Sequence, residues 1–315
     1  MTSRREPAVF AKVYQLYLAK AYHAALELLE EYHDSDPFTR RKWFEWRVSL
    51  AARAGNLDQA ETILAEALDD GHFFTEFTLR QNEDLAALQG RPRFEELVRR
   101  SQRMLNQAQQ QASMKLELVE PAPPSASPAP LIVGLHGNNS NAKRFLEYWQ
   151  HLSPQGWCLA FPQSSMVSGK DVYVWNDLPL AEKELRVHYQ AITYKYPVDE
   201  SRTIIAGFSK GGQVALQAAF KQLFPIRGFI AVAPFIGDPD AFFAALNVQP
   251  GSPLRGYFLL GEKDEMCTAG ALKLHQQLSE AGVPCGVEVF PGIGHEFPAD
   301  NVLAIQRALD FIFAA

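Results

Sequence analysis

Two patterns of apolar and polar positions divide the chain. Over roughly the first 112 residues the apolar positions recur at helical spacing among Ala, Leu, Glu, Arg and Gln, and almost nothing alternates with the period of a strand. From residue 131 onward, short apolar runs alternate with amphipathic stretches. "LIVGLH", "WCLAFP", "RTIIAGFS", "IRGFIAVAPF", "LRGYFLLGEKD" and "CGVEVFPG" read as strands. "NAKRFLEYWQHL", "LAEKELRVHYQAITYKY", "GGQVALQAAFKQLF", "GALKLHQQLSEAG" and "NVLAIQRALDFIFAA" read as the helices between and after them. This order predicts an α/β class with a mostly parallel sheet and helices on both faces. In open sheets of that kind ligands bind beyond the carboxyl ends of the strands. Chemistry is therefore expected in the loops after residues 136, 161, 208, 233, 261 and 290.

Within the helical part, "AYHAALELLEEYHDSDP" and "GNLDQAETILAEALDDG" superpose so that Ala25 matches Ala60 and Leu29 matches Leu64, with Pro37 and Gly71 closing the two units. A repeat of about 34 residues with small residues at helix crossings resembles tetratricopeptide helix pairs. A generic helical bundle fits the same pattern. "NEDLAALQGRPRFEELVRRSQRML" reads as a terminal helix-turn-helix cap. The following "NQAQQQASMKLELVEPAPPSASPAP" changes character: a short alternating strand at 114–119, then a Pro/Ser/Ala linker in which proline can neither continue a helix nor donate to a ladder. We place the boundary there, with an all-α tetratricopeptide-like domain at 1–112 and the α/β domain at 113–315.

Composition narrows the function classes. A formal charge of −6 offers no basic face for nucleic acid. No apolar run approaches the ~18 residues of a membrane span, and "MTSRREPAVF" has no apolar region after its basic residues, so no secretory signal is expected. Three scattered cysteines, Cys158, Cys267 and Cys285, make neither a disulfide framework nor a metal cluster. A reduced, cytoplasmic protein is the expectation.

Gly207-Phe208-Ser209-Lys210-Gly211 fits G-x-S-x-G between a strand and a helix. There a strained turn exposes the serine hydroxyl, and the glycines allow close approach of helix and strand. The hydroxyl is a weak nucleophile without a base. Of eight histidines, His23, His33 and His72 belong to the helical part, while His151, His188 and His275 read as surface or rim positions of amphipathic helices. His136 and His295 follow strands. His295, in the loop after the last strand, stands where the base of a Ser…Asp…His order belongs. For the acid, Asp264 follows a long apolar strand and a turn at Gly261; a cap of the next helix is its other reading, and Asp238 and Asp240 are the other acids in range. The backbone amides of Asn138 and Lys210 are the expected donors of an oxyanion hole. His136 and Gly137 shape that loop. The long connection "QSSMVSGKDVYVWNDLPLAEKE" supplies Met166 and Trp175 as candidate pocket residues; Trp175 reads equally as a packing aromatic.

"LHGNNSN", "GFSKGGQVAL", "LLGEKDEMC" and "GIGHEFP", in this order over about 200 residues, resemble the α/β-hydrolase fold in its carboxylesterase and lysophospholipase-like branch. The resemblance implies hydrolysis of a small-molecule ester or thioester through an acyl-serine, without metal or cofactor. It places serine, acid and base on Ser209, Asp264 and His295, and the oxyanion amides on Asn138 and Lys210. Two departures stand out. Lys210 replaces the family's more usual Gln, and the run Asn138, Asn139, Ser140, Asn141 replaces its usual aspartate. A serine peptidase of the prolyl-oligopeptidase-like branch shares the triad but normally follows a β-propeller. A third reading is a non-catalytic adaptor, using the helical domain for a protein partner or self-association.

Overall fold

The computed structural model describes residues 8–32, 37–122, 128–246, 248–249 and 251–314. His33 and the linker residues 123–127 lie outside them. The chain forms two compact units, Met1–Ala112 with Val167–Val172, and Ser113–Met166 with Tyr173–Ala315.

The first unit is built of helices α1 (Ala8–Leu18), α2 (Tyr22–Glu30), α3 (Pro37–Arg53), α4 (Leu57–Asp69), α5 (Glu76–Gln81) and α6 (Pro92–Gln111), with a 3-10 turn at Glu83–Leu88. Ala25 and Leu29 on α2 and Ala60 and Leu64 on α4 are all fully buried, so the superposed positions face one core. Pro37 opens α3, where its fixed φ suits the first helical position.

The second unit centres on a sheet whose strands are β1 (Lys115–Val119), β2 (Ala129–Leu135), β3 (Cys158–Gln163), β6 (Val198–Phe208), β7 (Gly228–Val232), β8 (Arg255–Gly261) and β9 (Cys285–Phe290), in the order β1-β3-β2-β6-β7-β8-β9. Two short strands, β4 (Val167–Gly169) and β5 (Val172–Tyr173), pair apart from it. All neighbours in the large sheet run parallel except β1, which lies antiparallel on β3 at the edge. Successive side chains of a strand point to opposite faces. Leu131, Val133 and Leu135 of β2 enter one core with α8 (Leu178–Lys195), α9 (Lys210–Phe220) and α11 (Thr268–Glu280), while Ile132 enters the other with α7 (Ala142–Leu146) and α12 (Asn301–Phe313). Covering both faces is what a parallel sheet requires, and it explains why its strands read as continuous apolar runs.

Three details depart from the sequence reading. The stretch after β2 is a short α7 and a 3-10 turn (Gln150–Gln155) rather than one helix, with Trp149 fully buried between them. A helix α10 (Pro239–Leu246) occupies the acidic segment to which the sequence pattern assigned no element. His188 is buried rather than superficial. Val167–Val172 belongs to the first unit, where the Val167 amide donates to Gln109 Oε1 and Lys170 Nζ to the Asp70 carbonyl, each at 2.9 Å. Among the described residues no helix is long and apolar enough to cross a membrane.

Candidate active site

β6 ends at Phe208, α9 begins at Lys210, and Ser209 alone makes the turn. Its backbone has φ 54° and ψ −120°, a region that L-residues rarely occupy. The turn is held from both sides: the Ser209 amide donates to the Val232 carbonyl at 3.0 Å, and the Ser209 carbonyl accepts from the amides of Phe235 (3.0 Å) and Gln213 (3.1 Å). The flanking glycines are required by space. A Cβ on Gly207 would meet the Gly211 carbonyl oxygen at 2.2 Å, and one on Gly211 would meet those of His136 (2.3 Å) and Leu135 (2.4 Å). Helix α9 thus lies backbone to backbone against the end of β2.

His295 reaches this serine from the loop after β9. Its Nε2 is 2.9 Å from Ser209 Oγ, and its Nδ1 is 2.7 Å from Asp264 Oδ2. Asp264 is 4% exposed, and its Oδ1 accepts the Cys267 amide at 3.2 Å just ahead of α11. Asp264 thus faces the imidazole with one oxygen and the Cys267 amide with the other. The acid and histidine loops are fastened together: the Glu262 and Lys263 amides donate to the Phe290 (3.0 Å) and Ile293 (2.8 Å) carbonyls, and a Cβ on Gly261 would meet the Gly294 carbonyl oxygen at 2.2 Å. Asp238 and Asp240 are engaged elsewhere, Asp238 with the Ala241 amide and Asp240 with Lys273 and Gln277.

Among the described residues neither the Asn138 nor the Lys210 amide has a protein acceptor. The loop carrying Asn138 is tied down by its own polar run. The Asn138 side chain accepts the Trp175 amide (2.8 Å) and donates to Asn176 Oδ1 (2.9 Å). Asn139 takes a left-handed conformation that asparagine tolerates. The Ser140 carbonyl accepts the Tyr173 amide (2.9 Å), and Asn141 caps α7 through the Arg144 amide (3.0 Å). Gly137 leaves room for Phe208, whose ring would sit 2.7 Å from a Cβ there.

Trp175 and Met166 take parts that sequence alone did not separate. Trp175 is fully buried and donates its indole N–H to the His136 carbonyl at 2.8 Å, so it braces the Asn138 loop and offers substrate no surface. Met166 is buried too, its sulfur accepting the Asp177 amide. Losing the indole N–H frees the His136 carbonyl and loosens the loop that aims the Asn138 amide. Trp175→Phe is therefore expected to lower kcat for any reaction at Ser209 about 10- to 100-fold with little change in KM, as steady-state kinetics would show. An unchanged kcat would mean that the Trp175 brace has no part in turnover.

His136 is fully buried. With Nδ1 protonated it donates to the Gly137 carbonyl (2.8 Å), while Nε2 accepts from Gln163 Nε2 (3.0 Å). Burial pushes its pKa down to about 4, so it stays neutral in the folded state at pH 5 to 7. The unfolded chain takes up that proton near pH 6.5 and the folded chain only near 4. The stability is thus present above 6.5 and is lost as pH falls, by up to about 3 kcal/mol. Urea unfolding between pH 7 and 4 should show this decline, and His136→Gln should make it shallower by one proton.

One further grouping lies at the site. Asp264, Cys267 and His295 have potential ligand atoms within 4.8 Å of one another. Burial and the Asp264 carboxylate push the Cys267 thiol up to about 12, so the thiolate a metal would need is disfavoured, and the other two groups are committed to each other. The arrangement suits proton relay between a hydroxyl and an imidazole.

Residues 174–306 match the family described as dienelactone hydrolase, and residues 7–109 match the one described as A/B hydrolase-like, N-terminal domain. Among solved structures, an uncharacterized protein from Bacillus cereus ATCC 10987 is 24% identical over 99% of both chains, with a TM-score of 0.56. A structure titled esterase PE8 is 19% identical over 62% of this chain and 98% of its own, with a TM-score of 0.53. Both are likenesses of fold.

Proposed function

We propose that this chain, whose parts match dienelactone hydrolase and an A/B hydrolase-like N-terminal domain, cleaves carboxylic esters of small to medium acyl chain through an acyl-serine intermediate. The observation that carries this reading is the continuous pair of hydrogen bonds from Ser209 Oγ through His295 to Asp264. In this reading residues 113–315 form the catalytic domain.

The steps follow from the geometry. As Ser209 Oγ attacks the acyl carbon, its proton passes to His295 Nε2. Asp264 holds Nδ1–H, fixes the tautomer and stabilises the imidazolium. The carbonyl oxygen gains charge as the tetrahedral intermediate forms, and the amides of Asn138 and Lys210 face it at the N-terminus of α9, where the helix dipole favours negative charge. Collapse breaks the ester C–O bond, and the alcohol leaves with the proton from His295. Water then repeats the sequence on the acyl-serine and releases the acid.

A series of p-nitrophenyl esters from acetate to octanoate tests this directly. Saturable release of nitrophenolate with an optimum chain length is expected. A folded protein that turned over none of them would end the proposal.

A further inference from the structure

Lys210 stands in three unfavourable circumstances at once. It is half-buried, so its ammonium has lost part of its hydration, and burial lowers its pKa. It is the first residue of α9, the end of a helix where positive charge is disfavoured. Among the described residues its amine has neither a hydrogen-bond acceptor nor an anionic partner. Its one recorded neighbour is the ring of Phe235, 5.9 Å from Nζ, a weak cation–π contact.

Nearby acceptors make this more pointed. Gln213, one turn along the same helix face, has its side-chain oxygen buried without a donor, yet the Lys210 amine does not turn back to it. None of the acids in the site loops pairs with it: Asp264 holds His295, Asp238 holds the Ala241 amide, Asp240 holds Lys273 and Gln277, and Glu262 accepts the Gly292 amide. Phe235, beneath the amine, is itself fixed to the nucleophile, its amide donating to the Ser209 carbonyl at 3.0 Å. Among the described residues this cation, next in sequence to the reacting serine, thus has no anionic partner.

We propose that Lys210 is the counter-ion for a carboxylate carried by the substrate, so that the site selects esters bearing a negative charge near the scissile bond. The inference rests on the esterase reading above. The chain's net charge of −6 works against an anionic ligand at long range, so any preference for one must arise locally.

Two matched pairs locate the charge. p-Nitrophenyl hydrogen adipate against p-nitrophenyl hexanoate places a carboxylate on the acyl side at equal chain length, and 4-carboxyphenyl hexanoate against phenyl hexanoate places it on the alcohol side. The readout is the charged-to-neutral ratio of kcat/KM, compared between wild type and variants so that intrinsic reactivities cancel. In one pair, Lys210→Met is expected to lower that ratio about 10- to 100-fold. Lys210→Arg should keep most of it, and rising ionic strength should compress it in the wild type.

A ratio unchanged by Lys210→Met in both pairs overturns the proposal. So does an equal fall for charged and neutral esters, which would assign the amine to the oxyanion instead. If the wild type hydrolyses none of the four esters, the esterase reading fails. If it hydrolyses the neutral ones without regard to charge, only the role of Lys210 fails.

Discussion

Ser209→Ala is expected to lower kcat for ester hydrolysis by about four to six orders of magnitude. The change removes the attacking oxygen and little else. Ser209 Oγ makes its bond to His295 and caps nothing in α9. The backbone bonds that hold the turn, to Val232, Phe235 and Gln213, do not involve the side chain. Alanine carries the same Cβ, so the strained conformation is no worse for it. The variant should therefore keep the wild-type unfolding midpoint while losing turnover. Residual activity should be the part that the oxyanion amides and substrate binding supply alone. Loss of activity with an equal loss of stability would instead make Ser209 a structural residue.

The second large effect is expected from Asp264→Asn, a fall in kcat of about 10⁴-fold. The Cys267 amide donates to one oxygen of Asp264, and an asparagine placed there keeps its carbonyl oxygen toward that amide. Its NH₂ group then faces His295 Nδ1, which must accept. The imidazole is left with its proton on Nε2, pointing at the serine it should deprotonate. The bond to the Cys267 amide survives, so the defect lies in the tautomer and not in the fold. Activity near the wild-type level would pass the acid's role to another residue. Asp238 and Asp240 are poorly placed for it, given their bonds to the Ala241 amide and to Lys273 and Gln277.

Much of this was legible in the chain because its signals were local. Strand runs buried on both faces read as unbroken apolar stretches, and the glycines around Ser209 mark a strand meeting a helix within ångströms. Ser209, Asp264 and His295 could be named because each follows a strand and the three occur in order, and the folded chain brings all three within hydrogen-bond reach. What stayed hidden depends on distant partners. The brace from Trp175 to His136 spans 39 positions, and a tryptophan in a long loop looks the same whether it lines a pocket or supports a turn. The polar run 138–141 read as a departure from the family's aspartate; its separate duties as clasp, left-handed turn, strand partner and cap appear only in three dimensions. The membership of Val167–Val172 in the helical unit has no signature in composition or period. Helix α10 is hidden because two aspartates beside a proline resemble a loop, although they serve as the start of a helix.

A phosphonylating probe tests, without knowledge of the substrate, whether Ser209 is a nucleophile activated by His295. The protein incubated with a fluorophosphonate ester should gain the mass of one phosphonyl group. Peptide mapping should place it on Ser209, and Ser209→Ala should gain none under the same conditions. Failure of the folded wild-type protein to react, or an adduct on a residue other than Ser209, would mean that Ser209 is not the nucleophile.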